Sequence, residues 1–271
     1  MTDDVVLAIP NISEGRRTEV IARIAGEARL LDVHADVDHN RTVLTYGGPS
    51  SDVFDAIYRM IERAVSELDI GSHVGVHPRF GVVDVLPFVA YETDERALRR
   101  RVAELRWRID QGPGVPTFTY GRASDESRTL PELRRLLRSD PPVVHPTAGV
   151  ICIGIRDVLI AFNVNCLGPL SAARAAATDL RAVRGIRTLG LELASRDEVQ
   201  LSMNLIDLGT TGPARAFEAA VAAARRHGLS VIDAEVAGLV PESTREQFKR
   251  LPLRWPVRTI EETLNRDSIG P

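Results

Sequence analysis

Two histidines lie four residues apart in the segment HVGVHPRF, at His73 and His77, in a chain of 271 residues that contains six histidines. Imidazole has an ordinary pKa of about 6.5, so it can both accept and release a proton near neutral pH. Pro78 follows His77 directly and disfavours helix at that position. We therefore predict that His77 lies in a loop, where it either acts as a general acid and base or is simply hydrogen-bonded to that loop.

Three polar residues follow the first apolar run of the chain, residues 5–10, which is typical of a strand. They are Asn11, Ser13 and Glu14. Side chains that follow a strand end can converge on a cleft, whereas Ser13 and Glu14 could equally cap the helix that is expected from Thr18. Both interpretations stay open, and one residue can serve both roles.

The segment HADVDHNRT, residues 34–42, is dense in polar groups. Asp38 and Asn40 are typical turn residues. Arg41 carries a planar guanidinium that can hold a carboxylate through two parallel hydrogen bonds, and Arg79 beside His77 could do the same. The ordinary alternative for an arginine in a surface loop is solvation.

Several familiar site motifs are absent from the sequence. It contains no glycine-rich phosphate loop, no nucleophile elbow and no cluster with the spacing of metal ligands. We therefore expect no metal. Any reaction would depend on acid–base catalysis and on the positioning of the reactants.

Apolar periodicity predicts one order of elements twice: strand, helix, strand, strand, helix, strand. In the first unit these elements are expected at residues 5–10, 18–28, 30–35, 42–46, 53–68 and 82–91. After Val150, a strand pair that ends in LIAFNVN is followed by elements expected at 171–182, 186–193, 199–206, 214–226 and 230–236.

This order predicts the α+β fold class, with two ferredoxin-like βαββαβ subdomains whose antiparallel or mixed sheets are covered by helices. A doubly wound parallel sheet is the alternative, and the adjacent strand pairs at 30–46 and 186–206 argue against it. The proline-rich link SDPPVVHP resists helix formation. We place the boundary there, with subdomains at residues 1–148 and 149–271.

Composition limits the classes of partner. The chain has 34 Lys and Arg against 37 Asp and Glu, a net charge of −3, so nothing indicates nucleic-acid binding. No run of 18 apolar residues indicates a membrane span, and small molecules are the expected partners. Cys152 and Cys166 are isolated and are expected to be buried thiols rather than a disulfide. Because the acidic N-terminus is unlike a signal peptide, we expect a cytoplasmic protein.

Several segments together resemble the glutamate formiminotransferase family, over about residues 5–241. They are IPNISEG, DHNRTVLTYGGP, GVHPRFGVVDVLPF, HPTAG before LIAFNVN, and SMNLID followed by AGLVP. The resemblance implies N- and C-terminal subdomains of ferredoxin-like fold, a homodimer, and transfer of a formimino group from N-formimino-L-glutamate to tetrahydrofolate, a co-substrate that binds between the subdomains.

By this resemblance His77 matches the catalytic histidine of the family, and one imidazole could serve both proton transfers of the reaction. His73 stands where relatives have a lysine, and we expect it to be solvated. The resemblance also implies substrate-binding or cofactor-binding positions at Asn11, Glu14, Asp36, Arg41, Arg79, Pro146, Thr147, Ala148 and Gly149.

Three features depart from the family pattern. The connection 122–145 is shorter than in relatives, whose insert helps to hold folate. His34 stands where relatives have an acid that assists the catalytic histidine, and Asp36 could replace it. The chain ends at Pro271 without a cyclodeaminase domain, so the product is expected to pass to a separate enzyme.

Three functions therefore stay open. The first is the family's formimino transfer, catalysed by His77. The second is a non-catalytic homologue that binds folate or another small molecule. The third is a formimino or one-carbon transfer with a different donor or acceptor, which the shortened folate loop would permit.

Overall fold

The computed structural model of the protein describes residues 4–76 and 79–268. The chain divides into two compact units after Asp157, later than the boundary between residues 148 and 149 that the proline-rich link suggested. The reason is a strand, Ile151–Ile155, which pairs within the first sheet. The strand pair expected to open the second repeat is thus split between the two units.

The elements of the first unit follow the predicted order. In chain order they are β1 (Val5–Ala8), β2 (Asn11–Ile12), α1 (Thr18–Ala25), β3 (Leu30–Asp36), β4 (Arg41–Pro49), α2 (Ser50–Glu67), a 3₁₀ turn (Ile70–Ser72), β5 (Val83–Glu92), α3 (Glu95–Gln111), β6 (Thr117–Gly121), α4 (Leu130–Ser139) and β7 (Ile151–Ile155).

The first sheet is mixed. Strands β1 and β2 both lie between β4 and β5 and together act as one strand that is interrupted at Pro10, where proline offers no N–H for the ladder. With β3 outside β4, these strands are all antiparallel and have the ferredoxin-like order β3-β4-β1/β2-β5. Strand β7 then pairs parallel to β5, and β6 parallel to β7.

Helices cover both faces of this sheet. The larger core cluster contains apolar residues of α1, α2 and α3, and Phe54 of α2 stacks on Phe88 of β5 with ring centroids 4.6 Å apart. Helix α4 packs elsewhere, because its Leu133 and Leu137 cluster with Cys152 of β7. Since Ile151 and Ile153 belong to the larger core and side chains alternate along a strand, α4 lies on the opposite face from α1–α3.

The second unit repeats the ferredoxin-like order. Its elements are β8 (Ile160–Leu167), α5 (Leu170–Leu180), β9 (Ile186–Leu193), β10 (Glu198–Leu205), α6 (Pro213–Arg226), β11 (Ser230–Ala237), a 3₁₀ turn (Glu242–Thr244), α7 (Arg245–Phe248) and α8 (Ile260–Ser268). Its four strands are antiparallel in the order β11-β8-β10-β9. The prediction of two ferredoxin-like α+β units is therefore confirmed.

The two cysteines and the apolar segments were also subjects of prediction. Cys152 and Cys166 are buried and free, as predicted, and burial raises the pKa of their thiols to about 12 and about 11. Among the residues that the structure describes, no helix is both long and apolar enough to cross a membrane.

The packing of α5 on β9 generates the first testable prediction. A methyl group on Gly190 would lie 2.5 Å from the carbonyl carbon of Ala173 and 2.6 Å from the backbone nitrogen of Arg174. Helix α5 would have to move, so we expect Gly190→Ala to lower the free energy of unfolding by about 1–3 kcal/mol, as measured by denaturant titration. Gly209→Ala is the control, because its nearest neighbour would lie at an ordinary 3.7 Å. Equal stability of the two variants would contradict this packing.

Candidate active site

Strand order brings the predicted site residues of the first unit together. Asn11 lies in β2, and Arg41 begins the neighbouring β4. The Nη2 group of Arg41 donates a hydrogen bond to Oδ1 of Asn11, while Nδ2 of Asn11 donates to the carbonyl of Ile9 at 3.0 Å. The Asn11 amide therefore links the guanidinium of Arg41 to the backbone where the strand is interrupted.

Glu14 fixes the loop that leads into α1. Its Oε1 accepts hydrogen bonds from the backbone N–H groups of Arg16 at 2.8 Å and Arg17 at 3.0 Å, and its Oε2 pairs with the Arg17 side chain at 2.6 Å. Burial would raise the pKa of Glu14, but the hydrogen bonds from Arg17 and Arg16 outweigh it and hold this pKa below its ordinary value. Both carboxylate oxygens thus hold the segment that precedes α1. Ser13 does not cap this helix as expected, because the N-cap residue is Arg17 and the Ser13 hydroxyl donates to the carbonyl of Gly81 at 2.8 Å.

Asn40 joins three segments around the turn between β3 and β4. It adopts a left-handed conformation, with φ +45°, which asparagine tolerates better than most residues. Its Oδ1 accepts from the N–H of Gly15 at 2.9 Å, and its Nδ2 donates to the carbonyl of Val74 at 3.0 Å. Asp36 closes the same turn by accepting from the N–H of His39 at 2.8 Å. The sequence indicated a turn here but not this connection to the histidine loop, the described residues 73–76 ahead of His77.

His73 is half-buried rather than solvated, which corrects the expectation from sequence. Its Nδ1 lies 3.5 Å from Nδ2 of Asn40. Its Nε2 is buried and has no hydrogen-bond partner among the described residues. Burial, together with the nearby charge of Arg79, lowers the pKa of His73 below its ordinary value.

His77 and Pro78 lie outside the described residues, and the predicted catalytic role of His77 stays a prediction. The residues on either side are anchored. Val76 donates its N–H to the carbonyl of Asp38 at 3.4 Å, and Phe80 donates its N–H to Oδ1 of Asp84 at 2.8 Å. Val76 is therefore held at the β3–β4 turn, and Phe80 is held at the beginning of β5.

Asp84 is the centre of a buried charge cluster that sequence reasoning missed. The register of β2 on β5 shifts, with Asn11 opposite Val85 and Ile12 opposite Val83, so Asp84 is the extra residue of a β-bulge. Its side chain, 1% exposed, pairs with Nη1 of Arg79 at 3.5 Å and with Nη2 of Arg134 from α4. A charged residue inside an apolar run was the available signal.

The positive charge of this cluster exceeds its negative charge. Arg79 and Arg134 share the single carboxylate of Asp84. Burial and the charge of Arg79 lower the pKa of Arg41 to about 9, and burial and Arg134 lower that of Arg79 to about 10 in spite of Asp84. Arginine stays protonated in proteins, so these lowered pKa values mean that the positive charges of Arg41 and Arg79 are held at a cost in free energy. A bound anion would offset that cost.

The HPTAG loop lies against the beginning of β5. His145 and Gly149 exchange backbone hydrogen bonds of 3.0 Å, and Nδ1 of His145 accepts the N–H of Ala148 at 3.0 Å. The carbonyl of Ala148 accepts from Val82 at 3.0 Å, and that of Thr147 accepts from Ile70 at 2.8 Å. The HPTAG loop is therefore tied to Ile70 in the 3₁₀ turn and to Val82 directly before β5.

The second unit has a polar group that the sequence analysis did not single out. It consists of four buried residues, which are Asn163 and Asn165 at alternate positions of β8, Gln200 on β10 and Glu235 on β11. Nε2 of Gln200 donates to Glu235 at 2.9 Å and to Asn165 at 3.0 Å, and Oε1 of Gln200 has no partner within the described residues. The period-two spacing of polar residues in these strands was the signal.

Comparison with known proteins places the chain in a family. Residues 5–156 match the N-terminal subdomain of the formiminotransferase domain, and residues 161–247 match the formiminotransferase domain. The chain belongs to the formiminotransferase family. Within residues 4–76 and 79–268, no group of three or more His, Cys, Asp or Glu side chains is arranged to hold a metal ion.

The similar proteins are enzymes by name. A glutamate formimidoyltransferase of Thermoplasma acidophilum is 32% identical, with 88% of each chain covered. A glutamate formimidoyltransferase of Streptococcus pyogenes serotype M1 is 33% identical, with 88% of this chain and 89% of that protein covered. A formimidoyltransferase-cyclodeaminase of Sus scrofa is 29% identical over 98% of this chain and 58% of its own length. The prediction of a formimidoyltransferase-like enzyme is confirmed.

The environment of His73 generates a second prediction. Since burial and Arg79 disfavour the imidazolium, we expect His73 to titrate below about 6.5, the ordinary pKa of histidine, in a histidine-selective NMR titration. The spectrum of His73→Gln identifies the resonance by its loss. A midpoint at or above the ordinary value would contradict the effect of burial and of Arg79 on this ring.

Proposed function

We propose that this protein transfers a formimino group from N-formimino-L-glutamate to tetrahydrofolate. Membership of the formiminotransferase family carries the proposal, because relatives named glutamate formimidoyltransferase align over nearly nine-tenths of both chains. The first unit supports it with buried arginines beside a histidine loop.

The reaction needs two proton transfers. A ring nitrogen of the folate attacks the amidine carbon and loses a proton, and the carbon–nitrogen bond to glutamate then breaks while the departing amine gains a proton. In our proposal His77 accepts the first proton and supplies the second, which is the general acid–base role that suits imidazole near neutral pH. Its loop is anchored at Val76 and at Phe80.

We further propose Asp36 rather than His34 as the acid that assists His77. Asp36 is a buried carboxylate, and a carboxylate can stabilise an imidazolium as it forms. It lies opposite Arg41 in the β3–β4 ladder, next to the turn that anchors the histidine loop. Asn11, Glu14 and Arg41 complete this side of the proposed site.

Folate contacts are proposed for the loop Pro146–Gly149, which is tied to the start of β5. A homodimer in the cytoplasm, acting on small molecules rather than nucleic acid or membranes, completes the proposal.

A different donor or acceptor is the second candidate function. The connection 122–145, where relatives carry a longer folate-holding insert by the resemblance, here contains α4 packed on the sheet. That packing leaves less chain for a folate-holding loop.

Activity assays test the proposal directly. Purified protein mixed with N-formimino-L-glutamate and tetrahydrofolate should produce formiminotetrahydrofolate, and His77→Ala should lower kcat by about 10²–10⁴-fold, the range for loss of a general acid–base group. The control is His227→Ala, since His227 pairs with Asp179 on the surface of the second unit and should leave kcat unchanged.

Two outcomes would contradict the proposal in different ways. Turnover of His77→Ala at the wild-type rate would remove the catalytic role of that histidine. Folate binding without turnover by the wild type would favour the non-catalytic homologue, whereas turnover only with another formimino compound would favour the second candidate.

A further inference from the structure

We propose that one edge of the Arg79 guanidinium binds a carboxylate of the formimino donor, and that Asp84 and Arg134 are positioning residues that keep this edge free and oriented. The inference rests on the proposed function for the identity of the donor. Its physical basis is independent of that identity, since it depends on buried N–H groups without partners.

The two unpartnered groups of Arg79 lie on the same side of its guanidinium. Nη1 faces Asp84 at 3.5 Å, while Nε and Nη2 are buried and have no hydrogen-bond partner in the described part of the chain. Nε and Nη2 form the side-on edge of the guanidinium, whose two N–H groups are nearly parallel and match the two oxygens of a carboxylate. The side chain is only 3% exposed, so water hardly reaches these donors.

Charge balance points to the same ligand class. Buried N–H groups are normally hydrogen-bonded, and buried charges are normally paired. Here the one carboxylate of Asp84 faces both Arg79 and Arg134, and Nε of Arg41 is also buried without a partner among the described residues. An incoming carboxylate would satisfy the donors and neutralise the excess positive charge at once.

Helix α4 provides the support for this edge. Leu133 and Leu137 anchor the helix in its own apolar cluster, which places Arg134 against the same oxygen of Asp84 that Arg79 approaches. The other oxygen of Asp84 accepts the N–H of Phe80. Asp84 is thus held from two sides. Arg79 contacts Asp84 through Nη1, so its Nε and Nη2 edge faces away from the ion pair of Asp84 and Arg134.

This arrangement predicts selection by charge and by shape. A neutral amide offers one oxygen and no charge, so it cannot satisfy the edge of Arg79. A lysine at position 79 would keep the charge but lose the planar pair of donors. The subsite should therefore prefer carboxylates over amides of the same size.

Calorimetry on the full chain tests the subsite without turnover. The probes are glutarate and its neutral diamide, glutaramide. We expect the wild type to bind glutarate and not glutaramide, and Arg79→Lys to weaken glutarate binding by about 10–100-fold, the range for hydrogen bonds to a charged group. Arg134→Met should weaken it in the same direction, whereas Arg135→Met, at an exposed position one residue along α4, should leave it unchanged.

Kinetics separate positioning from general damage. In Arg134→Met we expect the KM for the formimino donor to rise while kcat and the KM for folate stay near their wild-type values. Arg134→Lys should restore part of the affinity because it keeps a cation beside Asp84. A loss of folate affinity of the same size, or lower thermal stability with no change in the donor KM, would overturn the positioning role. Because Asp84→Asn risks misfolding, the test uses variants of the arginines.

The two proposals fail in distinguishable ways. Equal glutarate affinity of the wild type and Arg79→Lys, or equal affinity for glutarate and glutaramide, would overturn the carboxylate subsite even if formimino transfer is observed. Conversely, glutarate binding that depends on Arg79 in a protein without formimino transfer would overturn the proposed function and leave a carboxylate site.

Discussion

A wholly buried carboxylate between two arginines organises the first unit. Asp84 can be tolerated at the beginning of β5 only because Arg79, Arg134 and the N–H of Phe80 surround it, since an unpaired buried charge would be strongly unfavourable. Removal of any one of these partners would leave a buried charge with fewer compensating contacts among apolar side chains. The position of Phe80 and the packing of α4 therefore depend on the same side chain.

Topology explains why α4 and its Arg134 reach the buried carboxylate of the first unit. Both units have the ferredoxin-like strand order, but only the first sheet is extended by the parallel strands β7 and β6. The extension gives α4 a surface to cover, and the β-bulge at Asp84 directs a carboxylate towards it. In the second sheet the buried carboxylate of Glu235 accepts hydrogen bonds from Asn165 and Gln200 and pairs with Arg196 at 3.1 Å.

Local patterns in the sequence determined the helices and most strands, because apolar spacing of 3.6 or 2 residues reflects one buried face. They could not show that residues 151–155 join the first sheet, since that pairing links β7 to strands that are distant in sequence. They also missed Arg134, whose partner lies fifty positions away, and they left His73 as a solvated side chain. Such features depend on tertiary contacts that no short window contains.

The most direct measurement of the central claim is the response of the arginine Nε–H groups to a carboxylate, followed by ¹⁵N–¹H NMR on the full chain. The cross-peak of Arg79 is identified by its absence in Arg79→Lys. If buried, unpartnered donors await an anion, this cross-peak should shift when glutarate is added and should stay in place with glutaramide. An Arg79 cross-peak that glutarate leaves unchanged at concentrations where it binds, or that both compounds move equally, would contradict the account.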